Sequence, residues 1–157
     1  MRYLKTIPIL FFIYACGGGG SSSAPTEIDN PSNQNPNEII ESCSNTTRTG
    51  MQKCDLKHDS LDRYYFIYRP ENLNTNISVP VLFALHGYGS SALSHLTYTN
   101  YFSLADANNF IVIYPQGTTT DTLSSHWNVG GWTSKSTRKD IEFIDTVIDL
   151  IKDKIQI

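Results

Sequence analysis

From residue 51 onward, short apolar runs alternate with polar loops and with stretches whose apolar positions recur at helical spacing. Arg63-Tyr64-Tyr65-Phe66-Ile67-Tyr68-Arg69 is rich in β-forming residues and stops at Pro70, which predicts a strand. MQKCDLK, across the HDSLD turn, is its expected hairpin partner. Val81–Leu85 and Phe110–Tyr114 are continuous apolar runs, closed by His86-Gly87 and by Pro115-Gln116-Gly117. Such runs suit strands buried on both faces, as in a parallel sheet. Between them Tyr98, Phe102 and Ala105 fall at helical spacing, with the helix clearest from Asn100 to Asn109. Strand, helix, strand at this spacing predicts a βαβ unit.

The closing segment has the strongest helical pattern. Ile141, Ile144, Ile148, Ile151 and Ile155 are expected to share one buried face, widened by Phe143, Val147 and Leu150. Thr137 followed by Asp140 reads as an N-cap with an acidic group at the third helical position, giving a helix over 137–157. No C-cap signal precedes Ile157, and the expectation is a chain cut before its sheet is complete. Residues 116–136 form a long connection without periodicity, of the kind that is usually functional when it is not disordered. Two tryptophans and a pair of glycines within it argue against plain disorder.

The beginning of the chain follows other rules. MRYLKTIPILFFIYA has a basic start, a short apolar centre and a small residue at its end, the layout of a signal peptide over 1–15. Its apolar run is far short of the ~20 residues that span a bilayer. Ile13-Tyr14-Ala15-Cys16 resembles a bacterial lipobox, which makes Cys16 the expected lipidation site and a membrane the expected partner through that anchor. An ordinary cleaved signal with a chance cysteine is the alternative. GGGGSSS and the proline-containing polar stretch after it form an expected flexible tether over 16–41, leaving 42–157 as an incomplete folded domain.

Loss of residues 1–15 removes Arg2 and Lys5 and changes the formal charge from −3 to −5. That balance argues against a nucleic-acid partner, which calls for a clustered basic surface. Export would place Cys43 and Cys54 in an oxidising compartment, where a disulfide is the expected state and two free thiols the alternative. No CxxC, HExxH or paired His/Cys spacing occurs, so neither a metal nor a cofactor is expected.

The order of elements resembles the opening half of an α/β-hydrolase. More closely, it is similar to the secreted polyhydroxybutyrate depolymerases and feruloyl esterases. The residues carrying the resemblance are RYYFIYRP (63–70), VPVLFALHGYGSS (79–91), Leu104-Ala105-Asp106, FIVIYPQG (110–117), Trp127-Asn128 and DIEFI (140–144). The fold class implied is α/β: the N-terminal part of an α/β-hydrolase sheet, with an antiparallel start and then a parallel βαβ, truncated before the nucleophile elbow. The resemblance implies an ester substrate, polymeric or from a plant cell wall, and a backbone oxyanion donor at Tyr88, with Gly87 permitting the turn.

No G-x-S-x-G elbow exists in the 157 residues. Ser90 and Ser91 sit where an oxyanion loop belongs and read as turn or helix-cap serines. In this superfamily the triad runs Ser, Asp or Glu, then His, so His58, His86, His95 and His126 come too early for the general base. His58 reads as a turn residue, His86 as packing in the loop, and His95 and His126 as loop or surface residues. None of the triad is therefore expected within the chain, which alone should be inactive. Trp127 is a substrate-binding candidate, weighed against ordinary loop packing. Two other readings stay open: a non-catalytic surface lipoprotein whose aromatic loop binds carbohydrate or protein, and another α/β-hydrolase such as a peptidase.

Overall fold

Alternation along β3 (Leu61–Tyr68) sends Tyr65 and Ile67 to one face of a sheet and Phe66 and Tyr68 to the other, and all four are buried. β5 (Ile111–Pro115) repeats the pattern, with Ile111 and Ile113 on the first face and Val112 and Tyr114 on the second. Both strands are therefore central. The computed structural model of the protein describes residues 39–120, 123–133 and 137–157. The expected signal at 1–15, Cys16 and almost all of the 16–41 tether lie outside the described residues, as do 121–122 and 134–136 of the long connection.

Five strands form one mixed sheet in the order β1-β2-β3-β5-β4, with β1 at Glu41–Asn45, β2 at Met51–His58 and β4 at Val81–Phe83. β1, β2, β3 and β5 pair antiparallel in turn, and β4 joins β5 in parallel. The hairpin of β2 and β3 matches its expectation. Asp59 (φ 50°) and Ser60 (φ 62°) form a two-residue turn of the left-handed kind that fits the twist of paired strands. β1 was not legible in the sequence. It is a short, largely exposed edge strand held by a bond between Cys43 and Cys54, which are direct register partners.

One sheet face is covered by two helices, α1 (Ala92–Thr99) and α2 (Phe102–Asn108), where one was expected from about residue 100. Asn100 and Asn109 adopt left-handed conformations (φ 46° and 52°) and end the two helices. Ser91 is the N-cap of α1, its hydroxyl accepting the Ser94 N–H at 3.1 Å, as a cap serine should.

The other face is covered by α3 (Asp140–Lys152) through Phe143, Val147 and Ile151, all fully buried. This corrects two expectations. The helix begins at Asp140 rather than 137, and the residue before it, Lys139, makes no side-chain cap bond. Ile141, expected in the core, is 73% exposed, because the buried stripe is turned so that Asp140 points inward beneath the sheet. The connection after β5 is also more ordered than its pattern suggested. β6 (Thr118–Thr120) and β7 (Leu123–His126) form a small antiparallel hairpin, and a 3-10 turn follows at Gly131–Thr133.

Candidate active site

Parallel strands β4 and β5 end side by side, and the loops leaving such ends are where open α/β sheets place their sites. After β4 the chain passes through His86 and Gly87 into a tight turn in which the Ser90 N–H donates to the Gly87 carbonyl at 3.1 Å. Gly89 is the residue with positive φ (73°) in that turn, a position only glycine occupies without cost. From the sequence, the turn's freedom is expected at Gly87. Gly87 has an ordinary φ, and a Cβ added there would meet nothing within 4 Å. Its distinction is open space, which lets another molecule approach the backbone.

His86 is 2% exposed and fixes the start of this loop. Its Nδ1 lies 2.8 Å from the Gly87 carbonyl, and its Nε2 accepts the Gly117 N–H at 3.0 Å. Nε2 thus serves as the acceptor of the pair, and Nδ1 faces a carbonyl as its donor. His86 is a structural imidazole, as its packing reading anticipated. The Trp127 indole donates from Nε1 to the His86 carbonyl at 2.9 Å, and the two rings lie 5.3 Å apart. Trp127 is half-buried and also packs on the core beneath α3.

Gln116, quoted in the sequence only as part of a strand end, is the hub of the site. Its Oε1 accepts the Ala92 N–H at 2.8 Å and the Tyr64 hydroxyl at 3.0 Å. Its Nε2 donates to the Ser125 Oγ at 2.7 Å and the Gly117 carbonyl at 2.8 Å, and lies 3.1 Å from His86 Nε2. The Ser125 carbonyl in turn accepts the Gly89 N–H at 2.7 Å. Burial pushes the Tyr64 phenol above its ordinary value.

Beneath this layer Arg63 and Asp140 form a buried ion pair at 2.8 Å. The second Asp140 oxygen accepts the Asn128 N–H at 2.7 Å, and Arg63 also donates to the Gln116 carbonyl at 3.1 Å. The guanidinium sits 3.9 Å over the Phe143 ring. Its burial pulls it below its ordinary value, and Asp140 opposes that pull.

Of the expected site residues, Gly87, Tyr88 and Trp127 come together around His86. Tyr88 is 57% exposed, with its ring 6.5 Å from that of His126. His126, expected in a loop or on the surface, is in β7 and 2% exposed. It is buried because the hairpin folds back onto the loop after β4, the Ser125 carbonyl accepting the Gly89 N–H. His95, expected likewise, is a helical residue of α1 with its ring 6.2 Å from Tyr114; burial, and secondarily His86, lower its pKa. Beside the loop a cleft of about 460 Å³ is lined by Tyr64, Ser91, Gln116, Thr119, Ser125 and Arg138. A larger groove of about 710 Å³ at the β1–β2 turn, around Arg48 and Asp106, shares no residue with it. A rigid turn next to open space can present N–H donors to developing negative charge with no reorganisation.

The chain is similar to known hydrolases. It is 32% identical over 91 residues to a bifunctional acetylxylan esterase/xylanase of Neocallimastix patriciarum, covering 58% of the chain and 12% of that protein. It is 42% identical over 64 residues to feruloyl esterase B of Thermothelomyces thermophilus, covering 41% of the chain and 20% of the relative. An uncharacterised hydrolase of Acanthamoeba polyphaga mimivirus is 35% identical over 98 residues, covering 57% of the chain and 31% of the relative. The chain thus spans under a third of the length of each. Among solved structures, a ferulic acid esterase of Anaeromyces mucronatus in complex with ferulic acid aligns with a TM-score of 0.45 at 17% identity, over 78% of this chain and 46% of that one. No protein-family model matches the chain.

Proposed function

We propose that the chain carries the oxyanion-loop side of a serine ester hydrolase, of the polyhydroxybutyrate depolymerase or feruloyl esterase kind. The observation that carries this reading is the Gly87–Ser90 turn, locked at the end of β4 with open space over Gly87. The similarity to two named esterases supports it. In this reading the Tyr88 N–H donates to the oxyanion formed when a serine attacks the ester carbonyl, and a water then hydrolyses the acyl-enzyme. Since no G-x-S-x-G occurs in the chain, serine, acid and general base come from outside these 157 residues.

The substrate is an ester of a polymer or a plant cell wall, and Trp127 borders the acyl group. The protein is exported and held to a membrane through a lipid on Cys16, with residues 16–41 as tether. Two measurements test this. Purified residues 16–157 should not hydrolyse p-nitrophenyl acetate or methyl ferulate above the buffer rate; turnover would overturn the placement of the triad. A G-x-S-x-G should be encoded within about thirty codons beyond Ile157, and its absence there counts against the esterase reading.

A further inference from the structure

The geometry points to Gln116 as the positioning residue of the oxyanion loop, a role that rests on the ester hydrolase reading for its purpose but not for its test. A single carboxamide reaches the loop at three places. It meets His86 at the start, where its Nε2 is 3.1 Å from the ring. It meets the middle through Ser125, whose Oγ it holds at 2.7 Å and whose carbonyl binds the Gly89 N–H. It meets the end at Ala92, whose N–H donates to its Oε1 at 2.8 Å.

The orientation of the amide is fixed by its partners. Ala92 N–H and Tyr64 O–H are donors on one side, while the Gly117 carbonyl is an acceptor on the other. A flipped amide would set donor against donor at Ala92 and acceptor against acceptor at Gly117. The backbone on either side of Gln116 is anchored as well, by its N–H to the Tyr64 carbonyl at 3.0 Å and by its carbonyl to Arg63. The chain of contacts runs from the buried Arg63–Asp140 pair, through Gln116, to the turn that aims the Gly87–Tyr88 backbone. Donors stabilise an oxyanion only when they need not move as charge develops. Holding both ends and the middle of a short loop from one rigid side chain meets that need.

The test uses amide hydrogen exchange on the full chain, for wild type, Gln116→Ala, Gln116→Glu and the milder Ser125→Ala. In Gln116→Ala, Gly89, Ala92 and Gly117 should exchange about tenfold faster while Val112 and Ile113 are unchanged, as in a local opening. Ser125→Ala should speed Gly89 but leave Ala92 alone, which keeps the test intact where Gln116→Ala does not fold. Gln116→Glu keeps the acceptor for Ala92, so Ala92 should stay protected. Unchanged exchange in the loop, or equal acceleration of loop and core, overturns the inference, and so does equal exposure of Ala92 in Gln116→Glu and Gln116→Ala. None of these readouts needs ester turnover, so failure of the hydrolase reading would leave them standing.

Discussion

Arg63 on β3 and Asp140 at the start of α3 meet at 2.8 Å with side chains 1% and 5% exposed, and they join the sheet to the helix beneath the candidate site. Removing one partner strands the other charge in the interior, which typically costs about 3–5 kcal/mol. Asp140→Ala should therefore lower the urea midpoint more than any single surface substitution. The double variant Arg63→Met with Asp140→Leu should lose less than the sum of its parts. Additive losses would mean that the pair is not coupled.

That pair also explains what the sequence could and could not reveal. The central strand β5, the β2–β3 hairpin and the closing helix were legible because apolar runs and periodicity report burial directly. Val81–Leu85, expected to be buried on both faces, instead supplies the edge strand β4, with Leu82 and Leu85 exposed. Asp140 reads from the sequence as the acidic group at the third helical position after a Thr137 cap, since a pattern cannot show an arginine 77 residues away that would draw the carboxylate inward. The same blindness moved the helix start by three residues and put Ile141 on the wrong face. β1 carries little apolar content, and its place in the sheet depends on Cys54 and on Glu41 reaching Tyr65 and Lys154. In the site, HGYGSS was conspicuous because glycines break an apolar run. Gln116 was not, because a polar residue after a strand has many ordinary uses. Its importance comes from five partners brought together by folding.

The Cys43–Cys54 bond closes a loop with a sequence separation of 11 and holds an otherwise exposed edge strand. Its loss should cost about 2–3 kcal/mol through freedom returned to the unfolded chain. Urea unfolding with and without dithiothreitol measures this. Coincident midpoints would show that β1 contributes nothing to the stability of the sheet.

Alkaline stability follows from buried phenols. Burial first, and then the hydrogen bond to Asp106, push Tyr68 up to about 12. Tyr65 is raised further, again mainly by burial and then by Glu41. A phenol whose folded pKa exceeds its unfolded value of about 10 contributes stability that is whole below pH 10 and fades as pH rises through the folded value. Unfolding followed by absorbance at 295 nm should therefore set in above pH 10, with the buried tyrosines ionising as the fold is lost. Tyr68→Phe should shallow that loss. A Tyr68 that titrates near 10 in the intact fold would contradict it.

His95 sets the opposite limb. Burial, with a smaller contribution from His86, lowers its folded pKa, so the unfolded chain binds a proton first as pH falls below about 6.5. Its linked stability is present above that value and declines as pH falls through the lower folded pKa. His95→Gln should flatten the pH dependence of the melting temperature between pH 7 and 5. If wild type and variant fall in parallel across that range, the histidine is not responsible.

Gly117 and Gly87 should respond in opposite ways to the same methyl group. A Cβ on Gly117 would lie 2.5 Å from the His126 carbonyl oxygen and 3.2 Å from His86 Nε2. The first of these is backbone of the β6–β7 hairpin, and the second is the ring that Gly117 itself holds, so neither gives way easily. Overpacking of this kind costs about 1–3 kcal/mol. The displacement should also loosen the hairpin from Gly89, speeding exchange at that amide. Gly87 has no neighbour within 4 Å of the same position and no positive φ, so Gly87→Ala should stay within about 0.5 kcal/mol of wild type. Its methyl would instead occupy part of the open space over the turn. Equal midpoints for the two alanine variants would show that the hairpin does not press against the loop, and that the turn after β4 is held by something other than the contacts through His86 and Gly117.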